Sequence, residues 1–489
     1  MRIRKSGRIL PALLIVASAF AGWSALSVRH ANASEPPYFA IRNARIVPVS
    51  GPVIENGTVV IAKGLIQAVG ATATIPPEAE IIDGSGMTVY PGLIDAGTDV
   101  GLGATAQPAA AAGRGGGGGG GRGAATNAPL SMGPEDRPAT TPWVEAADEL
   151  KSDDARIASW REAGFTTALV LPRAGIFPGQ GSIVDLRGSD LPGERVDEMV
   201  VKTPAALPIN FAGGRGLYQG FPSALMGQLA YVHQVFLDAQ WYANAKKVYD
   251  AHPEGIARPA YDRTDMLIEQ VIADKELVLV PGNTDVDIER ALKLAPQWDV
   301  KWALYGAQQG YAVPADIAAA HVPVIVNLDW PERDRDADEY AIRHEQLRTL
   351  RFRDRAPGTP AALAKAGVKF AFATESSANA ADILRNINKS IAAGLAPEAA
   401  LKALTLDAAE ILGVGAQLGS IQPGKIANLV VTSGDLFKEG TAVKWVFVDG
   451  ERYEVRPKPP EPGGGGGRGR GGANPMQEIT SQPGGEVRQ

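Results

Sequence analysis

Side chains able to hold a metal or attack a bond are scarce in this chain of 489 residues. Cysteine is absent, which removes thiolate nucleophiles, cysteine metal ligands, disulfides and lipidated cysteines together. The five histidines are His30, His233, His252, His321 and His344. His30 precedes a cleavage-type motif near the N-terminus, and His233 falls in a helical pattern. His252 lies in a loop before Pro253, His321 begins the apolar run VPVIVNL, and His344 sits in a charged helical stretch. Each reads as a surface or hydrogen-bonded histidine. A zinc centre needs at least three converging N, S or O ligands, and these histidines do not supply one. What remains is carboxylate and amide chemistry: general acid/base work, or weak binding of a hard, oxygen-seeking cation.

The elements that must position such groups follow from apolar patterning. From Tyr38 to Tyr90, short alternating runs such as FAIRNARIVPV and GTVVIAKGLIQAVG lie between Gly, Pro and Asn, which predicts a small β domain. The same texture returns near the end in GSIQPGKIANLVVTSGDL and VKWVFVDGERY. Strands that begin and finish a chain can share one sandwich, and GKIANLVV is expected to pair with the GTVVIAKG region. Between them, apolar runs alternate with helical stretches. TVYPGLI, FTTALVL, SIVDL, MVVKTPA, LVLVP, VKWALY, VPVIVNL and VKFAFA are the candidate strands. They fit a TIM-type (β/α)8 barrel of parallel strands, although SIVDLRGSDLPGERVDEMVVK leaves no room for a helix between the third and fourth. The fold class expected is therefore α/β: a (β/α)8 barrel over 91–415, inserted in a composite β-sandwich built from 34–90 and 416–456. Helices are expected over Ser223 to Asp250, Asp382 to Gly394 and Ala396 to Leu412, from 3.6-residue apolar spacing.

The stretch GMTVYPGLIDAGTDVGL, Gly86 to Leu102, resembles the start of the barrel in the amidohydrolase superfamily, the metal-dependent hydrolases of carbon-nitrogen and related bonds. Supporting motifs are GFTTALVLPRAGIFPGQGSIVDLRG (Gly164 to Gly188), LDAQWY (Leu237 to Tyr242), DIERALKLA (Asp287 to Ala295) and the block from Gly394 to Val431. The closest branch is similar to imidazolonepropionase-related enzymes. The resemblance implies a His-x-His pair after PGLID, further histidines on later strands, and an Asp on the last strand. Here those positions hold Gly97 and Asp99, then Pro281, then Gln308, then Glu375. Asp99 and Glu375 are the candidate catalytic residues, since first and last strands adjoin in a closed barrel and their carboxylates could face each other. Asp95 is expected to fix the strand-end loop by backbone hydrogen bonds, and Lys202 is a fourth-strand lysine expected near the mouth. No cofactor is expected beyond a weakly bound divalent metal. The resemblance implies a hydrolase of non-peptide C-N bonds, and the replaced positions imply a metal-free barrel with impaired catalysis. The competing reading is a non-catalytic binding or scaffolding protein that pairs with an active homologue.

Composition bounds the partners. Lys+Arg 48 against Asp+Glu 54 gives a net charge of -6. The first 33 residues carry Arg2, Arg4, Lys5, Arg8 and Arg29 and no acid, so the remainder is more acidic still, which argues against nucleic acid as a partner. A basic start, an apolar run from Ile9 and Ala31-Asn32-Ala33 read as an export signal over 1–33, cleaved after Ala33. The protein is accordingly expected in the periplasm or outside the cell, touching a membrane only through that signal. A small-molecule ligand in the barrel mouth and self-association are the remaining partner expectations. Ala104 to Thr141 reads as a Gly/Ala-rich flexible insertion and 457–489 as a disordered Gly/Pro/Arg tail.

Overall fold

The computed structural model describes residues 38–102, 137–188, 196–211, 222, 224–333, 338, 340, 343–375 and 380–455. Residues 1–33, read above as an export signal, most of the Gly-rich insertion and the C-terminal tail lie outside the described residues. The strands in chain order are β1 (Phe39–Ile46), β2 (Ile54–Ala62), β3 (Leu65–Gly70), β4 (Glu80–Asp83) and β5 (Thr88–Pro91). There follow β6 (Leu93–Thr98), β7 (Phe165–Val170), β8 (Gly181–Asp185), β9 (Val200–Pro208), β10 (Leu277–Gly282), β11 (Lys301–Gly306), β12 (Val324–Asn327) and β13 (Phe370–Ala373). Last come β14 (Leu429–Thr432), β15 (Val443–Val448) and β16 (Glu451–Glu454).

Two sheets result. The terminal sheet runs β16-β15-β14-β5-β1-β2-β3, with β4 also paired to β1. It encloses a core of Phe39, Ile41, Val59, Ile61, Val89, Leu429, Val431 and Phe447. The second sheet runs in sequence order from β6 to β13. Its two edges meet through a parallel bridge between Thr98 and Glu375, and the Glu375 N–H donates to the Gly97 carbonyl at 2.9 Å. This nearly closes an eight-stranded barrel, as the patterning predicts.

The barrel strands are apolar on both faces, because one face lines the interior and the other lies under helices. Ile94, Ala96, Leu169, Leu171, Ile183, Leu277, Leu279, Ala303, Ile325, Ala371 and Ala373 form the inner cluster. Their sequence neighbours Leu93, Val170, Val184, Val278, Val280, Leu304, Val324, Val326, Phe370 and Phe372 pack outward against the helices. Ala408, Ala409, Ile411 and Leu412 join the inner cluster and close its foot from below.

Four expectations need correction. β8 is antiparallel to both neighbours, because no helix separates it from β9 and a short connection can only reverse the chain. TVYPGLI is not one strand: Thr88–Pro91 belongs to the terminal sheet and Leu93–Thr98 to the barrel. The change occurs at Gly92, where a Cβ would fall 2.0 Å from Thr166 Oγ1. GKIANLVV meets the GTVVIAKG region through a short antiparallel bridge between Leu65 and Ile426 and through the Ala427 N–H to Gly64 carbonyl bond of 2.8 Å, not through a full strand ladder. Its ladder partner is β5, with Leu429 opposite Pro91. The helix expected over Ala396 to Leu412 is two helices, Pro397–Ala403 and Leu406–Ile411, broken where Thr405 leaves helical geometry and its hydroxyl donates to the Leu401 carbonyl at 2.7 Å. The other two expected helices form as Leu225–Ala251 and Ala380–Ala392. The end of the segment read as a flexible insertion is also fixed. Arg137 pairs with Asp238 at 2.9 Å and Asp265 at 2.7 Å, and Thr140 Oγ1 lies 2.6 Å from Tyr231 Oη.

Candidate active site at the barrel mouth

The C-terminal ends of β6, β7, β11 and β13 define the mouth, where barrels of this type place their chemistry. β6 is irregular in its pairing with β7 between Asp95 and Thr98, so residues 95 to 99 point in different directions. Asp95 points outward and is fully buried. Its carboxylate accepts from Trp160 Nε1 at 3.0 Å, Thr374 Oγ1 at 2.5 Å, the Thr374 N–H at 3.1 Å and the Gly97 N–H at 3.2 Å. Burial pushes its pKa up to about 6 against the downward pull of those bonds. Asp95 thus ties the first strand to the last and leaves no lone pair facing the interior to spare.

Asp99 does not face Glu375 as a paired carboxylate. Its Oδ1 accepts from Arg156 Nη1 at 2.7 Å, and Arg173 Nε stands 3.5 Å from Oδ2. Arg156 is otherwise spent on the Asp99 and Leu102 carbonyls, at 3.0 and 3.1 Å, and on Asp154 at 2.7 Å. With 3% exposure, Asp99 is an anchor for guanidinium groups. Glu375 sits at φ 47, in the left-handed region uncommon for a non-glycine residue. Burial raises its carboxyl pKa, Arg173 lowers it and Asp329 raises it further.

The side chain that organises the mouth is Tyr305, on β11. A Cβ added at Gly97 would lie 2.8 Å from Tyr305 Oη and 3.2 Å from Ala373 Cβ. The phenol therefore occupies the room that any side chain at 97 would need. Burial, with Glu375, Asp95 and Asp99 nearby, pushes the Tyr305 hydroxyl well above its ordinary pKa, opposed by Arg173. It stays a neutral hydrogen-bonding group. Pro281 is the register partner of Tyr305 and contributes no ligand atom from its ring. Gln308 lies beyond the end of β11, and its amide donates to the Asp329 carbonyl.

Lys202 is not at the mouth. It is the third residue of β9, below the level where Ala206 pairs with Leu277. Its Nζ is 3.5 Å from the position of a Cβ on Gly413 at the barrel foot. His233 accepts from Trp298 Nε1 at 3.1 Å on the outer helix, while His252, His321 and His344 are exposed. Among the described residues no three His, Asp or Glu side chains converge in a way that could hold a metal ion.

Sequence reasoning missed Tyr305, Arg156 and Arg173. Tyr305 was legible in principle, since the run KWALYG puts Ala303 and Tyr305 on one face of a strand. Arg173 follows the second strand by a short step, and the Asn210 amide holds its carbonyl at 3.2 Å. Its Nε and Nη2 are buried and have no hydrogen-bond acceptor among the described residues. The mouth therefore offers guanidinium and phenol donors beside one carboxyl group, an arrangement suited to binding a polar small molecule.

Residues 292–453 match the sequence model of the amidohydrolase family. No curated protein sequence matches the chain. Among solved structures, the chain is similar to an amidohydrolase from Thermotoga maritima MSB8, at 25% identity and a TM-score of 0.69 over 86% of this chain and 100% of that one. It is more distantly similar to a Xaa-Pro dipeptidase with bound methionine, at 16% identity and a TM-score of 0.48 over 85% of this chain and 100% of that one. A molinate hydrolase is 16% identical with a TM-score of 0.49, over 86% and 95% of the two chains.

Proposed function

We propose that this chain is an exported protein of amidohydrolase type whose barrel mouth binds a small molecule without a metal, the hydrolytic centre of its relatives having been given up. The observation that carries the reading is Tyr305 in the space beside Gly97. A metal-activated water needs an ion held firmly enough to bring that water's pKa from 15.7 to about 7. At the positions where the resemblance implies ligands, this chain offers Gly97 and Pro281 without donor atoms, Asp99 paired to arginine, and Gln308 turned to a backbone carbonyl. The residues present can bind and orient: Arg173 and Tyr305 donate, and Glu375 holds or exchanges a proton.

A second reading has one observation in its favour. Burial raises the Glu375 carboxyl pKa, the direction that suits a group taking and releasing a proton, which would preserve slow, metal-independent hydrolysis of a non-peptide C-N bond. A panel of cyclic and N-acyl amides, assayed with and without chelator, separates the two. The binding reading expects no turnover above background. Chelator-insensitive turnover lost in Glu375→Gln would establish the second reading, and chelator-sensitive turnover would contradict both.

A further inference from the structure

Resting on the metal-free binding reading, we infer that the ligand of the barrel mouth carries a carboxylate, received by the Nε and Nη2 edge of Arg173. Those two N–H groups form the side of a guanidinium that meets a carboxylate with two parallel hydrogen bonds. Both nitrogens are buried and lack an acceptor among the described residues. Buried guanidinium donors without a partner are costly to maintain, and a ligand oxygen is the natural occupant at the open end of a barrel.

The neighbours agree with this assignment. Asp99 gives its short bond to Arg156 at 2.7 Å and keeps only a long ion pair of 3.5 Å with Arg173 Nε, so the two fork donors of Arg173 are left without a hydrogen bond among the described residues. The backbone of Arg173 is pinned by Asn210, and the carbonyl of Asn283 and the Asn283 side chain crowd the end of β11 on the opposite wall. Tyr305 Oη, beside Gly97, is a neutral donor aimed at the same space as the charges of Arg173 and Glu375. The acids facing Arg173 are Asp99 and Glu375. They disfavour a multiply charged anion such as phosphate and tolerate a single carboxylate, which needs only the one fork.

The test uses the mature full-length chain and isothermal titration with acetate, glutarate and phosphate against a chloride control of equal ionic strength. Zn2+ is titrated separately. Acetate or glutarate should bind wild type, while Arg173→Gln and Arg173→Lys each weaken binding by at least about tenfold; lysine keeps the charge and loses the fork. Circular dichroism checks that each variant is folded. Glu375→Gln should bind the carboxylates at least as tightly as wild type. Carboxylate binding that both Arg173 variants retain, preference for phosphate, or no carboxylate binding to wild type would overturn the inference. Stoichiometric Zn2+ binding would instead overturn the metal-free reading beneath it.

Discussion

The two ends of the barrel put buried polar groups to different use: the foot carries a mostly paired network, with Glu451 Oε2 and Glu276 Oε1 left over, and the mouth leaves guanidinium donors open. At the foot, where barrel and terminal sheet meet, Asp185 is fully buried and accepts from Thr167 Oγ1 at 2.8 Å and Asn428 Nδ2 at 2.7 Å. The other end of the Asn428 amide accepts the Asp449 N–H at 2.6 Å, and Arg187 pairs with Asp449 at 3.0 Å and Glu451 at 3.1 Å. At the mouth, Arg173 buries two donors without acceptors and Glu375 holds a left-handed backbone. Satisfied networks hold a fold in register. Unsatisfied ones, when a structure keeps them, mark where a partner is awaited. The foot joins two sheets, and the mouth keeps two arginine donors open.

The sharpest way to break this contrast is at the junction. Asn428→Leu leaves the Asp185 carboxyl with Thr167 Oγ1 alone and the Asp449 N–H without its acceptor, and at ~1–3 kcal/mol for each buried group deprived of a bond the expected loss is about 3 kcal/mol, read by urea denaturation. A loss near zero would mean the junction is not the joint described. Next in size, Gly97→His must displace Tyr305 and should cost about 1–3 kcal/mol as overpacking. Adding Asp99→His should not create metal binding, because Pro281 still contributes no donor and Arg156 loses its anchor. Zinc uptake by that double variant would count against the packing argument.

The pH response sharpens the comparison further. Burial raises the folded-state pKa of Asp185 to about 7 and that of Asp95 to about 6, above the roughly 3.9 of an unfolded aspartate. The folded chain therefore binds more protons than the unfolded one between those values. The contribution of these groups to stability is full below the unfolded pKa and is lost as pH rises through about 6 to 7. The melting temperature should fall from pH 5.5 to pH 8 as far as these groups dominate, and Asp185→Asn should flatten the decline. An unchanged slope in that variant would place the titration elsewhere. Smallest of all, Arg173→Gln should change stability by no more than about 0.5 kcal/mol, since relief of two unmatched donors offsets loss of the 3.5 Å ion pair with Asp99. Large destabilisation would make Arg173 a structural residue.

Much of the barrel was legible because strands buried on both faces are written as unbroken apolar runs; LVLVP and VPVIVNL both became strands. The break at Gly92 was also written in the sequence, as the Pro91-Gly92 pair inside TVYPGLI, and the approach of Thr166 requires the glycine. The direction of β8 was foreshadowed by the missing helix between SIVDL and MVVKTPA. Asp95 was readable as a loop-fixing carboxylate, since an aspartate two residues before a glycine invites bonds to nearby N–H groups. The partners of Asp99 were not readable, because Arg156 and Arg173 reach it from segments after two different strands. A side chain's facing partner across a barrel depends on strand stagger, which local pattern does not encode.

The central claim, a mouth that works without a metal, is tested most directly by elemental analysis of the mature protein purified without chelator and dialysed to equilibrium. The account predicts Zn, Mn, Fe, Co and Ni all far below one ion per chain, with no gain after incubation in each metal and re-dialysis. A retained stoichiometric ion that is lost in Glu375→Gln or Asp99→Asn would contradict it.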